Sequence, residues 1–189
     1  MEQEIQDISI KRIQEAMPQL KGIENELIID YTEYKMPNDK HPIHRYPIRF
    51  DGLYIGLREK GKARFSINLK EFEVGHNDLV ICSPNDLVQA TLHEDIHLVQ
   101  SMIVSSHFLK EMYISLNSFM PFFAARKDHP VFHLTDSEME ELKTYFLLIK
   151  DNTEKDDYFR TDIIKRLLAA YLYKLGSILY RHRPELQEE

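Results

Sequence analysis

Between Tyr46 and Pro84 apolar and polar residues alternate in short runs broken by glycine and turn residues: Leu53-Tyr-Ile-Gly-Leu-Arg58, Ala63-Arg-Phe-Ser-Ile-Asn-Leu69, and Gly75 to Pro84 around the apolar Leu79-Val-Ile-Cys82. A period of two is the mark of extended chain whose two faces meet different surroundings. It sets Leu53, Ile55 and Leu57 on one side of a strand and Tyr54, Gly56 and Arg58 on the other, and Glu59-Lys-Gly-Lys62 reads as a tight reversal into the next strand. Glu26 to Tyr34 is rich in β-formers and supplies the first strand, while Asp86 to Thr91 and Ile96 to Ser105 complete the set. Many short strands at this spacing predict a small β-barrel.

The period changes on either side of the barrel. Ser9 to Met17 spaces Ile10, Ile13 and Met17 as a short helix opened by Ser9 and stopped by Pro18, placed to cap the barrel. His107 to Met120 also has helical spacing, ended or bent by Pro121, and a short apolar piece, Val131 to Leu134, follows. Thr135-Asp-Ser-Glu138 is a capping box, and behind it Met139, Leu142, Tyr145, Phe146 and Ile149 form one stripe. After the polar connector 151–157, Ile164, Leu168, Tyr171, Leu172, Leu175 and Leu179 form a seam along a long final helix that ends near Pro184. Two helices joined by a short polar turn predict an antiparallel hairpin. The second helix is more apolar than one neighbour would cover, so those six seam residues are the expected interface of a homodimer.

The fold class expected is therefore α+β. A barrel spans residues 1–134 with its short N-terminal helix, and a helical hairpin spans 135–184. Segment 36–47 is a proline-punctuated loop between strands.

At 189 residues, with 43% hydrophobic and 29% charged residues, the chain has the make-up of a soluble globule with a sizeable core. Its net charge of −7 offers no basic face for phosphates, so the chain by itself is not expected to bind DNA. Cys82, the one cysteine, sits in an apolar run and reads as a core residue. The acidic N-terminus and the lack of any long apolar run point to a cytoplasmic protein without a membrane partner.

One motif argues otherwise. His93-Glu-Asp-Ile-His97 matches the zinc-peptidase spacing, which needs both imidazoles on one helix face and a third ligand such as His107 or Glu111. The flanks read as strand, however, and in a strand residues i and i+4 lie roughly 13 Å apart, too far to share an ion. A polar turn between two strands is the preferred reading. His41 and His44 sit in the proline-rich loop and are expected to be solvated rather than metal ligands. No metal or other cofactor is expected. For a small-molecule pocket the candidates are the polar and aromatic groups on barrel strands, Arg49, Tyr54, Arg58, Arg64 and Asn68, although the pattern alone leaves open which face is inward.

The run from Tyr46-Pro-Ile-Arg-Phe-Asp-Gly-Leu-Tyr54 through Gly61, Ile67-Asn68, Phe72, Val74, Asp78-Leu79 and Ser83-Pro84, continued by Ile103 to Leu109 and the closing helix pair, resembles the cupin-like effector domain of AraC-type transcriptional regulators. The resemblance implies a jelly-roll type β-barrel that senses a small effector, helices that dimerise, and a separate C-terminal module with two helix-turn-helix units that contacts DNA. That module is not in this chain, which is read as part of a longer regulator or as a stand-alone sensor. Catalytic cupins carry a His-x-His pair with a Glu and a further His. Here Arg45, Pro47 and Arg49 stand before Tyr54, and Asn85 to Gln89 follow Pro84, which argues for a binding domain rather than an enzyme. The rival expectations are a metal-dependent enzyme, either the zinc peptidase or a cupin enzyme, and an oligomerisation module without effector.

Overall fold

In the computed structural model, which describes residues 6–35, 44, 46–93, 96–112 and 129–182, the elements run in the order β1 (Gln6–Asp7), α1 (Ile10–Ala16), β2 (Lys21–Ile23), β3 (Leu27–Lys35), β4 (Ile48–Arg49), β5 (Gly52–Lys60), β6 (Ala63–Ile67), β7 (Lys70–Val74), β8 (Asp78–Cys82), β9 (Leu87–Leu92), β10 (Ile96–Ser105), α2 (Ser106–Glu111), β11 (Val131–His133), α3 (Asp136–Thr153) and α4 (Arg160–Arg181). The strands form two sheets, one in the order β1-β4-β9-β6-β7 and one in the order β11-β8-β5-β10-β3-β2. Apart from the short parallel pair β1 and β4, neighbours run antiparallel. The α+β class and the barrel of two packed sheets with a closing helix pair stand as expected.

Two cores share the six-stranded sheet. Between the sheets, Ile28, Tyr54, Val80, Cys82 and Ile103 pack against Ile48, Ala63, Phe65, Ile67, Val88 and Ala90, and α1 closes this interior with Ile10 and Ile13. Ser9 caps α1 by accepting a hydrogen bond from the Arg12 amide at 3.2 Å. On the outer face of the same sheet, Leu27, Ile29, Leu53, Ile55, Met102 and Val104 pack against Met139, Leu142, Phe146 and Ile149 of α3 and against α4. Strand β5 is thus covered on both faces, and every residue from Gly52 to Arg58 is buried. Its alternation separates two interiors rather than interior from solvent: Leu53, Ile55 and Leu57 face the helices, and Tyr54 faces the barrel.

The same geometry moves the expected interface. Ile164, Leu168, Tyr171, Leu172, Leu175 and Leu179 are at most 4% exposed, because they pack on the chain's own sheet. The apolar excess of α4 was matched to a partner subunit, whereas the sheet face is what covers it. A second correction concerns 59–62. Strand β5 pairs with β8 and β10, and β6 pairs with β7 and β9, so Gly61 and Lys62 carry the chain from one sheet to the other instead of closing a hairpin. Gly61 has φ +82°, and a Cβ there would stand 2.5 Å from both the Ile96 carbonyl oxygen and His97 Nδ1, so only glycine fits this corner.

The helix hairpin starts as its sequence directs. Thr135 Oγ1 accepts from the Glu138 amide at 3.3 Å and Glu138 Oε2 accepts from the Thr135 amide at 3.1 Å, the reciprocal bonds of a capping box. The end of α4 returns to the same carboxylate, with Arg181 Nη2 at 3.1 Å and His182 Nε2 at 3.0 Å from Glu138. Helix α2 ends at Glu111 with Met112 as its cap, and residues 113–120 of the helix expected through Met120 lie outside the described residues, as do His41 and Pro184.

Candidate functional site

The interior between the sheets is largely apolar, with one set of polar side chains that β5 begins to assemble. Gly56 has no side chain, and the Tyr54 hydroxyl fills that space: a Cβ on Gly56 would lie 2.5 Å from it. Two residues further along, Arg58 enters the same interior and is 4% exposed. Across the sheet, Gly56 pairs with Ser101 and Ser101 with Asp30, which puts the 8% exposed Asp30 in the same row. His97, 1% exposed, follows on β10, and its Nδ1 lies 3.0 Å from Arg58 Nη1. Because a guanidinium only donates, Nδ1 accepts, and the ring proton is assigned to Nε2.

Burial pushes the Tyr54 phenol up, the neighbouring Cys82 and Asp30 push the same way, and only Arg58 opposes. Its hydroxyl therefore stays protonated and serves as a hydrogen-bond donor or acceptor. Together these side chains offer a fixed cation, a carboxylate, a phenol and an imidazole in surroundings from which water is excluded. Such a set can orient a small polar molecule through several directional bonds at once.

Of the five pocket candidates, the structure brings together Tyr54 and Arg58 alone. Arg49 lies on β4, partly exposed and 3.7 Å from Asp7. Arg64 is on the outer face of the other sheet, held by Glu73 at 2.7 Å and Glu71 at 3.8 Å. Asn68 sits in the exposed β6 to β7 turn, where its side chain donates to Asp86 at 2.7 Å and accepts from the Leu87 amide at 3.0 Å, so it anchors the turn. Asp30 and His97 were not among the candidates. The signal for Asp30 was a lone carboxylate inside the apolar run 27–31, and the signal for His97 was masked by the peptidase-like motif that contains it.

The described residues of that motif are not helical. His97 lies within strand β10 and turns into the barrel, while His93 is exposed in the turn after β9, its amide bonded to the Lys62 carbonyl at 3.0 Å; residues 94 and 95 lie outside the described residues. Among the described residues no three His, Cys, Asp or Glu side chains converge as metal ligands.

Arg58 has a neighbour of opposite charge that faces the other way. Glu59 points to the helices and accepts from Lys143 Nζ of α3 at 2.9 Å, from Tyr31 at 3.2 Å and from Gln100 Nε2 at 2.6 Å. Lys143 also lies 5.4 Å from the centre of the Tyr31 ring. Burial raises the Glu59 pKa, but these donors outweigh it and hold the carboxyl below its ordinary value. One residue step thus connects the barrel interior to the bond that fastens α3 to the sheet.

No family model matches the sequence, and no curated protein matches it. Among solved structures the chain is similar to an AraC-like activator. That activator, CuxR, is 13% identical, with 82% of this chain and 52% of that one covered and a TM-score of 0.45. ToxT from Vibrio cholerae, solved with an unsaturated fatty acid bound, is 12% identical, with 86% of this chain and 57% of that one covered and a TM-score of 0.49. A cupin 2 conserved barrel domain protein from Leptotrichia buccalis is 11% identical, with 46% of this chain and 39% of that one covered and a TM-score of 0.37. The chain spans about half the length of the two larger proteins. Among the described residues no helix is long and apolar enough to cross a membrane.

Proposed function

We propose that the chain is the effector-sensing and dimerisation unit of an AraC-type transcriptional regulator, with the effector held between the two sheets at Arg58. The observation that carries this reading is the buried set of Arg58, Tyr54, Asp30 and His97 in an interior otherwise built mainly from Ile, Val, Phe and Ala, with Cys82. Taking an ionised arginine out of water costs several kcal/mol before its contacts offset it, and an apolar side chain would pack there at no such cost. A site for a polar ligand gives the arginine a reason to be present. The effector is a small metabolite with hydrogen-bonding groups on more than one side, and the role is binding rather than catalysis.

Occupancy reaches the helices through β5. A ligand that draws Arg58 inward shifts the backbone shared with Glu59 and so biases the Glu59 to Lys143 bond. DNA contact belongs to a separate basic module, in keeping with the net charge of −7 on this chain, and the regulator works in the cytoplasm.

Thermal unfolding of wild type and Arg58→Met against sugars, aromatic acids and other small metabolites tests the site. At least one compound is expected to raise the wild-type midpoint and to leave the variant unmoved. A panel that shifts neither protein, or both alike, removes the barrel site.

Dimerisation is assigned to the exposed face of α4. Ile163, Tyr173 and Tyr180 are 37%, 59% and 41% exposed, and with Arg166, Ala170 and Ser177 they recur at alternating steps of three and four, the spacing of a helix-pairing seam. Light scattering is expected to give twice 22.5 kDa for wild type and the single mass for Ile163→Glu with Tyr173→Glu. A doubly charged variant that remains dimeric would place the interface elsewhere.

A further inference from the structure

Strand β5 loses its regular pairing on both sides at Arg58. Toward β10, Arg58 lies opposite Val99 and Lys60 opposite Leu98, so two residue steps of β5 match one step of β10 and Glu59 is the extra residue of a bulge. Toward β8, the ladder stops at the pair Leu57 and Leu79, and the next carbonyl, that of Arg58, accepts instead from the Asn77 amide at 2.9 Å. The guanidinium bears on the same stretch, because its Nη1 lies 3.5 Å from the Lys60 carbonyl oxygen as well as 3.0 Å from His97 Nδ1. Bulges bend a strand and re-aim its side chains. Here the irregular stretch is the one that carries the buried arginine.

Asn77 receives whatever that stretch does. It is 7% exposed with φ +62°, a left-handed conformation that asparagine tolerates better than most residues. Three of its groups reach three places. Its N–H holds the Arg58 carbonyl, its C=O accepts from the Leu134 amide at 2.9 Å, and its side-chain Nδ2 donates to Asp136 in the first turn of α3 at 2.6 Å. The direction of this last bond follows from the partner, since a carboxylate only accepts. From the same turn, the capping-box carboxylate of Glu138 reaches Arg181 and His182 at the end of α4. A short series of bonds thus joins the backbone of Arg58 to the last residues of α4, by a different route from the one through Glu59 and Lys143.

We propose that Asn77 is the positioning residue that reports the state of the Arg58 site to the end of α4. This rests on the reading of Arg58 as the effector contact. A ligand that draws on the guanidinium moves the bulged backbone, the Asn77 amide follows its acceptor, and the first turn of α3, which orients Glu138, moves with it. The grip of Glu138 on Arg181 and His182 changes in turn.

The test needs no effector. In the intact chain, the His182 ring resonances are recorded by 13C-edited NMR for wild type, Arg58→Met, Asn77→Gly and the double variant. Glycine keeps the positive φ and both backbone bonds of residue 77 and removes only the amide that holds Asp136. Arg58→Met is expected to displace the His182 resonances, and the double variant is expected to leave them where Asn77→Gly alone puts them. A residue that merely stabilises the corner would give equal displacements in both backgrounds. Asn77→Asp with Asp136→Asn exchanges amide and carboxylate across the same contact and is expected to restore the response to Arg58→Met. Arg58→Lys, which keeps the charge, takes the place of methionine should that variant not fold. Resonances that ignore both Arg58 variants, that respond equally with and without the Asn77 amide, or that the exchanged pair fails to restore would overturn the proposal and leave the effector site standing. A metabolite screen that fails at Arg58 while the His182 response persists would remove the effector site and leave the relay.

Discussion

The Tyr171 hydroxyl is enclosed in the core between hairpin and sheet, 0% exposed and without a hydrogen-bond partner among the described residues. Burial alone pushes its phenol pKa up, so the group stays neutral and contributes only the cost of its lost hydration. Tyr171→Phe removes that cost and keeps the ring. Urea unfolding is expected to show unchanged stability or a gain of up to about 1 kcal/mol. Glu138 behaves in the opposite way. Burial raises its pKa, but His182, the Thr135 amide and Arg181 together lower it from 4.5 to about 2. Its folded pKa lies below the ordinary value, so its contribution is complete above pH 4.5 and disappears as the pH falls toward 2. The amount is on the order of 2–3 kcal/mol. In Glu138→Gln the acid-induced fall in stability across that window is expected to be shallower than in wild type, and equal slopes would deny the clasp its role.

At the scale of elements, the β6 to β7 turn holds avoidable strain. Asn68 and Leu69 both have positive φ, 49° and 69°, as a two-residue hairpin between twisted strands requires, and Leu69 is 82% exposed. A leucine in this conformation costs about 1–2 kcal/mol, part of which glycine would recover. Leu69→Gly is expected to raise the unfolding free energy by roughly 0.5–1 kcal/mol, with a decrease contradicting this view of the turn. This turn also shows how far local pattern reaches. The strands at 53–58, 63–67 and 96–105 and the helix behind Thr135 were legible because period and capping are local properties. Pairing is not local, and for that reason Gly61 was read as a hairpin turn although it is a corner between sheets. The alternation of β5 gave two faces correctly but could not say that both are interior, because the helix hairpin that covers Leu53, Ile55 and Leu57 begins only at Asp136.

Across the whole molecule, one sheet serves two cores, and its central strand points Arg58 into one and Glu59 toward the other. Of the polar set inside the barrel, Tyr54 and Arg58 could be named from the strand that carries them. Asp30 and His97 come from β3 and β10, and only the register of three strands puts them in reach. The seam on α4 was likewise identified residue by residue, while its covering surface was not, since a helix stripe is equally apolar whether a sheet or a second subunit buries it. The central claim is that the barrel interior receives an effector at Arg58, and the most direct measurement is the 15N-edited NMR spectrum of the arginine Nε–H groups recorded against pools of small metabolites. The expected result is a pool that shifts the Arg58 resonance in the wild-type chain and loses its stabilising effect in Arg58→Met. An Arg58 resonance that stays fixed with every pool, or a stabilising compound that acts equally on Arg58→Met, would contradict the claim.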